Sequence, residues 1–258
     1  MPTPAGIAPQ VPANGAPANE GPADEPRHAL GRNLTYGLLD HLGKQIVTGA
    51  YEGANFPTEA ELSEQHGVSR SVTREAVKML TAKGLLIARP RQGTRVQPVA
   101  QWNLFDADVL RWMLERKFSV DLLSHFNQLR AAIEPAAAAL AARNADARGL
   151  ALIEAGFARM QAAERGEDDV LDADIAFHLS ILRASGNPFY AQFRDVVATA
   201  LRTSIRFTNR IVGRTADLAA HGAVKDAILA RDPVAASAAM GAIIGDVMDL
   251  ITQHSPAE

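Results

Sequence analysis

The chain has no cysteine. That excludes disulfides, thiolate zinc sites, iron–sulfur clusters and a cysteine nucleophile together, and it suits a reducing, cytoplasmic setting. Aromatic residues make up only 5% of the sequence, so its cores must be aliphatic. No apolar run approaches the roughly 18 residues of a membrane span. The opening Met1-Pro-Thr-Pro-Ala lacks the basic head and apolar stretch of a secretory signal, so no membrane partner is expected. Neither sign of charge dominates. The 26 Lys plus Arg face 29 Asp plus Glu, a net of −3, which excludes a basic coat over the whole molecule. Gly-x-Ser-x-Gly, a Gly-rich phosphate loop and His-Glu-x-x-His are also missing, so an enzyme is not expected.

What is present reads as a mainly α protein of two domains behind a leader. The 258 residues are 47% apolar, enough for two cores. Residues 1–30 hold seven of the 14 prolines and too little apolar surface to offset ordering entropy, so they are expected to be a disordered leader. The first domain is expected over 31–98, a linker over 99–103 and an all-helical domain over 104–253. Leu38, Leu39, Leu42, Ile46 and Val47 lie at helical spacing, with order expected from about Leu34. Thr58 and Glu61 form a capping box, and Ser69 caps a helix that Gly84 stops. Leu85–Ala88 and Thr94–Val96 flank Arg-Pro-Arg-Gln-Gly as a short hairpin. Beyond it, helices are expected over 104–116, 120–143, 146–164, 168–185, 188–212, 215–230 and 233–253. Asn187-Pro188 and Asp232-Pro233 serve as starts.

The near-neutral total conceals an asymmetry. Residues 69–96 carry seven cations and one anion, Glu75, for a net of +6 and leave −9 to the rest. On the helix after Ser69, Arg70, Arg74 and Lys78 fall on one stripe, with Val72, Ala76, Met79 and Leu80 opposite. Arg91, Gln92, Gly93 and Thr94 occupy the hairpin tip. A narrow helix with arginines and short polar residues, Ser69 and Thr73, at its start fits a DNA major groove. A solvated basic face is the plainer reading of any single stripe, but here stripe, turn and hairpin agree.

These residues resemble the winged helix-turn-helix of the GntR family of bacterial transcription factors. The resemblance is carried by Phe56-Pro-Thr-Glu-Ala-Glu-Leu62, Gly67-Val-Ser-Arg-Ser-Val-Thr-Arg-Glu-Ala-Val77, Leu80, Gly84-Leu85 and Gly93-Thr94. It implies base and phosphate contacts at Arg70 and Arg74 and a wing contact at Gly93. Ala60 stands where many members have Arg, so one phosphate contact is lost and the salt dependence of binding should be shallower.

The second domain offers a different chemistry. Asp174 and His178 are i, i+4, a half-site for a divalent metal or an ordinary Asp–His hydrogen bond. His221 lies in another helical window. Arg130, in an Ala-rich helix, needs an anion, either Glu134 at i+4 or a ligand carboxylate. Arg202 is a weaker case of the same kind.

Residues 104–253 resemble the all-helical FCD effector domain of the FadR-type branch. The residues that carry this are Leu129-Arg130, Glu134, Asp174-Ile-Ala-Phe-His178, Ala184-Ser-Gly-Asn187 and His221. The resemblance implies a divalent metal such as zinc on Asp174, His178 and His221, with Ile243 at the place of the usual fourth ligand. It also implies a small carboxylate effector held by that site with Arg130, Asn187 and Arg202. The stretch Gln101-Trp-Asn-Leu-Phe-Asp106 to Leu114 is similar to that of members answering sugar acids such as galactonate.

The expectation is therefore a homodimeric regulator, a repressor, that binds a palindromic double-stranded operator and is released by a sugar acid. A metal-dependent enzyme and an effector-independent DNA-binding protein are the alternatives.

Overall fold

The computed structural model describes residues 25–52, 55–89, 93–116, 119–211 and 217–253, and the side chains of these except 25–32 and 206–211. The N-terminal domain contains α1 (Glu25–Val47), α2 (Glu59–His66), α3 (Arg70–Ala82), β1 (Leu86–Arg89) and β2 (Gly93–Val96). Helix α1 begins at Glu25, ahead of the order expected from about Leu34. The rest of the expected leader, residues 1–24, lies outside the described residues. The capping box forms: Glu61 N–H donates to Thr58 Oγ1 at 3.3 Å, and Thr58 N–H donates to Glu61 Oε2 at 2.7 Å. Gly67 ends α2, and Ser69 caps α3 by accepting from Val72 N–H. The strands pair antiparallel, Leu86 opposite Val96 and Arg89 opposite Gly93. The tip between them, including Arg91 and Gln92, lies outside the described residues.

Helix α3 buries Thr73, Ala76, Val77 and Leu80, the i, i+3, i+4, i+7 pattern of one face. This corrects the sequence expectation at two places. Val72 and Met79 are only half-buried. Thr73, expected at the DNA, is fully buried, with its hydroxyl turned back to Ser69 O.

The segment after the wing closes the N-terminal core. Helix α4 (Ala107–Met113) inserts Val109, Trp112 and Met113 among Leu38, Leu42 and Leu80. Trp112 fits where Gly43 of α1 has no side chain, since a Cβ there would stand 2.5 Å from the indole ring. Gly84 is more constrained still. Its φ is +78°, and a Cβ would lie 2.4 Å from the Gln101 carbonyl oxygen.

The C-terminal domain is a bundle of α5 (Val120–Asn144), α6 (Ala147–Glu164), α7 (Val170–Ala184), α8 (Pro188–Gln192), α9 (Arg194–Ile211), α10 (Leu218–Leu229) and α11 (Pro233–Gln253). The single helix expected over 188–212 is broken at Phe193 into α8 and α9. Fully buried Ala137, Ala138, Ala141 and Ala142 let neighbouring helices approach α5 closely. Among the described residues one helix, α11, is long and apolar enough to cross a membrane, with mean hydropathy 1.7. It packs along α5 and α10 by one face, burying Ala236, Met240, Ile244 and Ile251.

Gly84→Ala tests the junction. A methyl group at positive φ meeting backbone should cost at least about 2 kcal/mol. Urea unfolding of the two proteins side by side measures it, and an unchanged midpoint would contradict this packing.

Candidate functional site

Two surfaces stand out. The first is the outer side of α3 with the wing. Ser69, Arg70, Arg74 and Lys78 are exposed along one stripe, and Arg89, Gly93 and Arg95 are exposed on the hairpin; Thr94 is half-buried. The stripe's ion pairs are at its edges: Arg74 Nε lies 3.5 Å from Glu59 Oε2 and Lys78 Nζ 2.8 Å from Glu75 Oε1. Such solvent-facing pairs hold the cations weakly, so an anionic partner can take them. Lys83, counted with the basic series in the sequence, is not part of this surface, because its ammonium is turned onto Asp106 and Asp108.

The second is a buried polar cluster inside the bundle. Asp174 and His178 come from α7 and His221 from α10; all three are buried. His221 Nδ1 lies 2.7 Å from the Asp217 carbonyl oxygen. A carbonyl only accepts, so Nδ1 carries the hydrogen. His178 Nδ1 lies 2.5 Å from Glu134 Oε2 and donates to that carboxylate in the same way. Both Nε2 atoms then turn lone pairs inward. They are 3.3 Å apart, and lie 3.5 and 3.1 Å from Asp174 Oδ1. Asp174 Oδ1 is buried without a hydrogen-bond donor, because the hydrogens of both rings are committed elsewhere.

Three lone-pair donors facing one point call for a cation. Ligands about 2.0–2.1 Å from a tetrahedral zinc stand about 3.3–3.4 Å from one another, and the separations found, 3.1, 3.3 and 3.5 Å, bracket that spacing. The second shell is of the usual kind too, a carboxylate behind one imidazole and a backbone carbonyl behind the other. The donor set therefore fits a divalent metal. Burial alone would favour a neutral His178, but the Glu134 and Asp174 carboxylates outweigh it and push the imidazole up to about 9. In the metal-free chain a proton on His178 meets part of the need. Burial opposes ionisation of Glu134 as well, yet Arg130 and His178 bring its carboxyl down to about 2. Asp174 is also held below the usual carboxylate range, its burial outweighed by the two imidazoles.

Arg130 completes the cluster from behind. Its Nε donates to Glu134 Oε1 at 2.6 Å, and its Nη1 to Asn127 Oδ1 at 3.2 Å. Asn127 in turn bonds Ser204 of α9. Of the expected effector residues, the structure brings together Arg130, Asp174, His178 and His221. Asn187 instead caps α8, accepting from Phe189 N–H. Arg202 is partly exposed and reaches Asp172, not Asp174. The role of Glu134 behind His178 went unnoticed in the sequence, although an acid on an Ala-rich helix signals a buried partner. Ser204 gives no such signal.

A winged helix-turn-helix with an exposed cationic stripe, joined to a helical bundle with a buried polar cluster, defines a DNA-binding regulator that senses a small molecule. Residues 35–96 match the bacterial regulatory proteins of the gntR family, and residues 126–246 match the FCD domain. The chain belongs to the gntR family, with an FCD domain as its C-terminal part: it is a DNA-binding transcriptional regulator, not an enzyme. It is 37% identical over 219 residues to the uncharacterized HTH-type transcriptional regulator YieP of Escherichia coli K12, across 84% of this chain and 94% of that one. It is 36% identical over 212 residues to the galactonate operon transcriptional repressor of the same organism, across 80% and 92%. The solved structure of Lar, which controls expression of the Listeria monocytogenes agr system, superposes with a TM-score of 0.58 over 86% of this chain and 98% of that one. At 16% identity this is a likeness of fold alone.

Replacing Arg130 by Met would leave Glu134 buried with one counter-charge fewer. A loss of about 3–5 kcal/mol of stability is expected, read from denaturant unfolding followed by circular dichroism. A loss below about 1 kcal/mol would mean that His178 alone balances Glu134 and that the Arg130 ion pair does not support the cluster.

Proposed function

We propose that the chain is a repressor that binds a palindromic operator as a homodimer and is released by a sugar acid, with a divalent metal held by Asp174, His178 and His221. The observation that carries the effector reading is the charge of the buried cluster. Arg130 and Glu134 cancel, and once a metal displaces the proton on His178 both imidazoles are neutral, which leaves the single negative charge of Asp174. A dication turns this to a single positive charge, and one carboxylate brings it to zero. Buried net charge is costly, so a metal and a monocarboxylate together suit the site better than the metal alone. Ile243 packs as an apolar residue against the bundle core and offers no fourth donor, which leaves positions for water or effector oxygens. The metal would supply a fixed positive centre that holds a carboxylate and a neighbouring hydroxyl. The 36% identity to a galactonate operon repressor supports an aldonate among such acids.

On the DNA side, Arg70 and Arg74 are assigned to bases and phosphates, Ser69 and Lys78 to the backbone beside them, and Gly93 and Thr94, with Arg91 and Gln92, to the wing contact. Thr73 is dropped, since it is buried. A two-fold dimer presents two such helices to matching half-sites. As for its relatives among bacterial regulators, the setting is read as the cytoplasm.

Two measurements test this. Zinc titrated into the metal-stripped chain by calorimetry should bind once per chain. Its affinity should rise with pH up to about 9 and level off above it, because the proton on His178 must leave before the metal enters. His178→Gln should abolish the binding. A pH-independent affinity would place the metal elsewhere. In a gel-shift assay, D-galactonate or a related aldonate should release the zinc-loaded protein from a duplex it has selected. Arg74→Ala should lose that duplex at least about 10-fold while keeping its fold. Retention of the duplex throughout a panel of aldonates and uronates would end the sugar-acid reading.

A further inference from the structure

Lys83 ends the basic series of the recognition helix, yet its side chain is only 13% exposed. Its Nζ lies 2.8 Å from both oxygens of Asp106 and 2.8 Å from Asp108 Oδ2. Asp106 is also the N-cap of α4, accepting from the N–H groups of Asp108 and Val109. One carboxylate therefore starts α4 and holds the end of α3. The backbone repeats the link, since Asn103 N–H donates to the Lys83 carbonyl at 2.9 Å.

The other sides of this short helix are equally committed. Arg111 and Trp112 Nε1 both bond Asp40 of α1 at 2.8 Å. On its remaining side Leu110, 1% exposed, packs with Phe126 of α5 and with Val196 and Ala200 of α9. Helix α9 also carries Ser204, bonded to Asn127 next to the Arg130–Glu134–His178 chain. A displacement of α9 therefore reaches α4 through close-packed side chains, and α4 reaches the recognition helix through an ion pair.

We propose that Lys83 is a positioning residue, and that its pairing with Asp106 and Asp108 transmits the state of the effector domain through α4 to the recognition helix. Its charge serves the junction and not DNA. The proposal rests on membership of a DNA-binding family and is independent of which metal or effector the bundle takes.

Coupling between sites is reciprocal, so DNA itself can be the probe. The full chain is bound to a duplex that it selects from a random-sequence pool, without metal or effector. Amide exchange is followed, together with tryptophan emission; both tryptophans, Trp102 and Trp112, lie in this junction. In the wild type, DNA should slow exchange in α3 and also in α4 and the first half of α9, by about 5-fold or more, and should change the emission. Lys83→Met should fold and bind the same duplex with α3 protected, but the response in α9 should vanish, and Lys83→Arg should restore it. If Lys83→Met does not fold, Asp108→Asn, which leaves the cap intact, carries the same expectation. Three results overturn the proposal: wild-type protection confined to the winged domain, wild-type protection of α9 in Lys83→Met, or a folded Lys83→Met that no longer binds the duplex. The last would make Lys83 a phosphate contact.

Discussion

Glu134 stays ionised where no water reaches it, and four helices are arranged around that demand. A bare carboxylate in a protein interior costs several kcal/mol even after relaxation. Here Arg130 from the same helix and His178 from α7 share the charge. Arg130 is held in turn by Asn127, and Asn127 by Ser204 of α9. His178 is oriented by its bond to Glu134, so its Nε2 faces Asp174 and the His221 imidazole of α10. The ion that looks like a structural pair thus fixes the rotamers of the groups that can hold a metal.

Charge is used differently in the two domains. Inside the bundle it is buried, and Arg130, Glu134, His178 and Asp174 compensate one another. On α3 and the wing it is exposed, held only by weak edge pairs, and free to meet phosphate. The junction belongs to neither pattern. Lys83, Asp106 and Asp108 are partly shielded opposite charges close to the point where the chain leaves one domain for the other. A sensor that must act on a reader needs a link stiff enough to pass on a displacement, and packed side chains with short ion pairs are stiffer than a solvated linker.

Much of this was legible in the sequence wherever the cause was local. Thr58 with Glu61, Ser69, and Asn187-Pro188 place helix starts by satisfying amides one turn away, and the observed elements begin beside them. The i, i+4 spacing of Asp174 and His178 was visible, and so was that of Arg130 and Glu134. Other features were not. The face of α3 was placed in part: Ala76 and Leu80 are buried as expected, but Thr73 and Val77 lie inside while Val72 and Met79 are only half-buried, because a stripe only a few residues wide leaves its edges to the packing partners. The break at Phe193 has no proline or glycine to announce it. Arg202 and Asn187 carry the right chemistry but are engaged elsewhere, on Asp172 and on the start of α8.

The sequence by itself determined the helices, the basic stripe, the two-domain plan and the residue types of the buried site, because caps, periodicity and charge act over a few residues along the chain. Only the tertiary structure decided that Glu134 stands behind His178, 44 positions away, and that Lys83 turns from the DNA face to Asp106, 23 positions away. The reason is physical. A side chain's partner is chosen by which groups lose water together, and desolvation is settled by packing between helices, not by spacing within one.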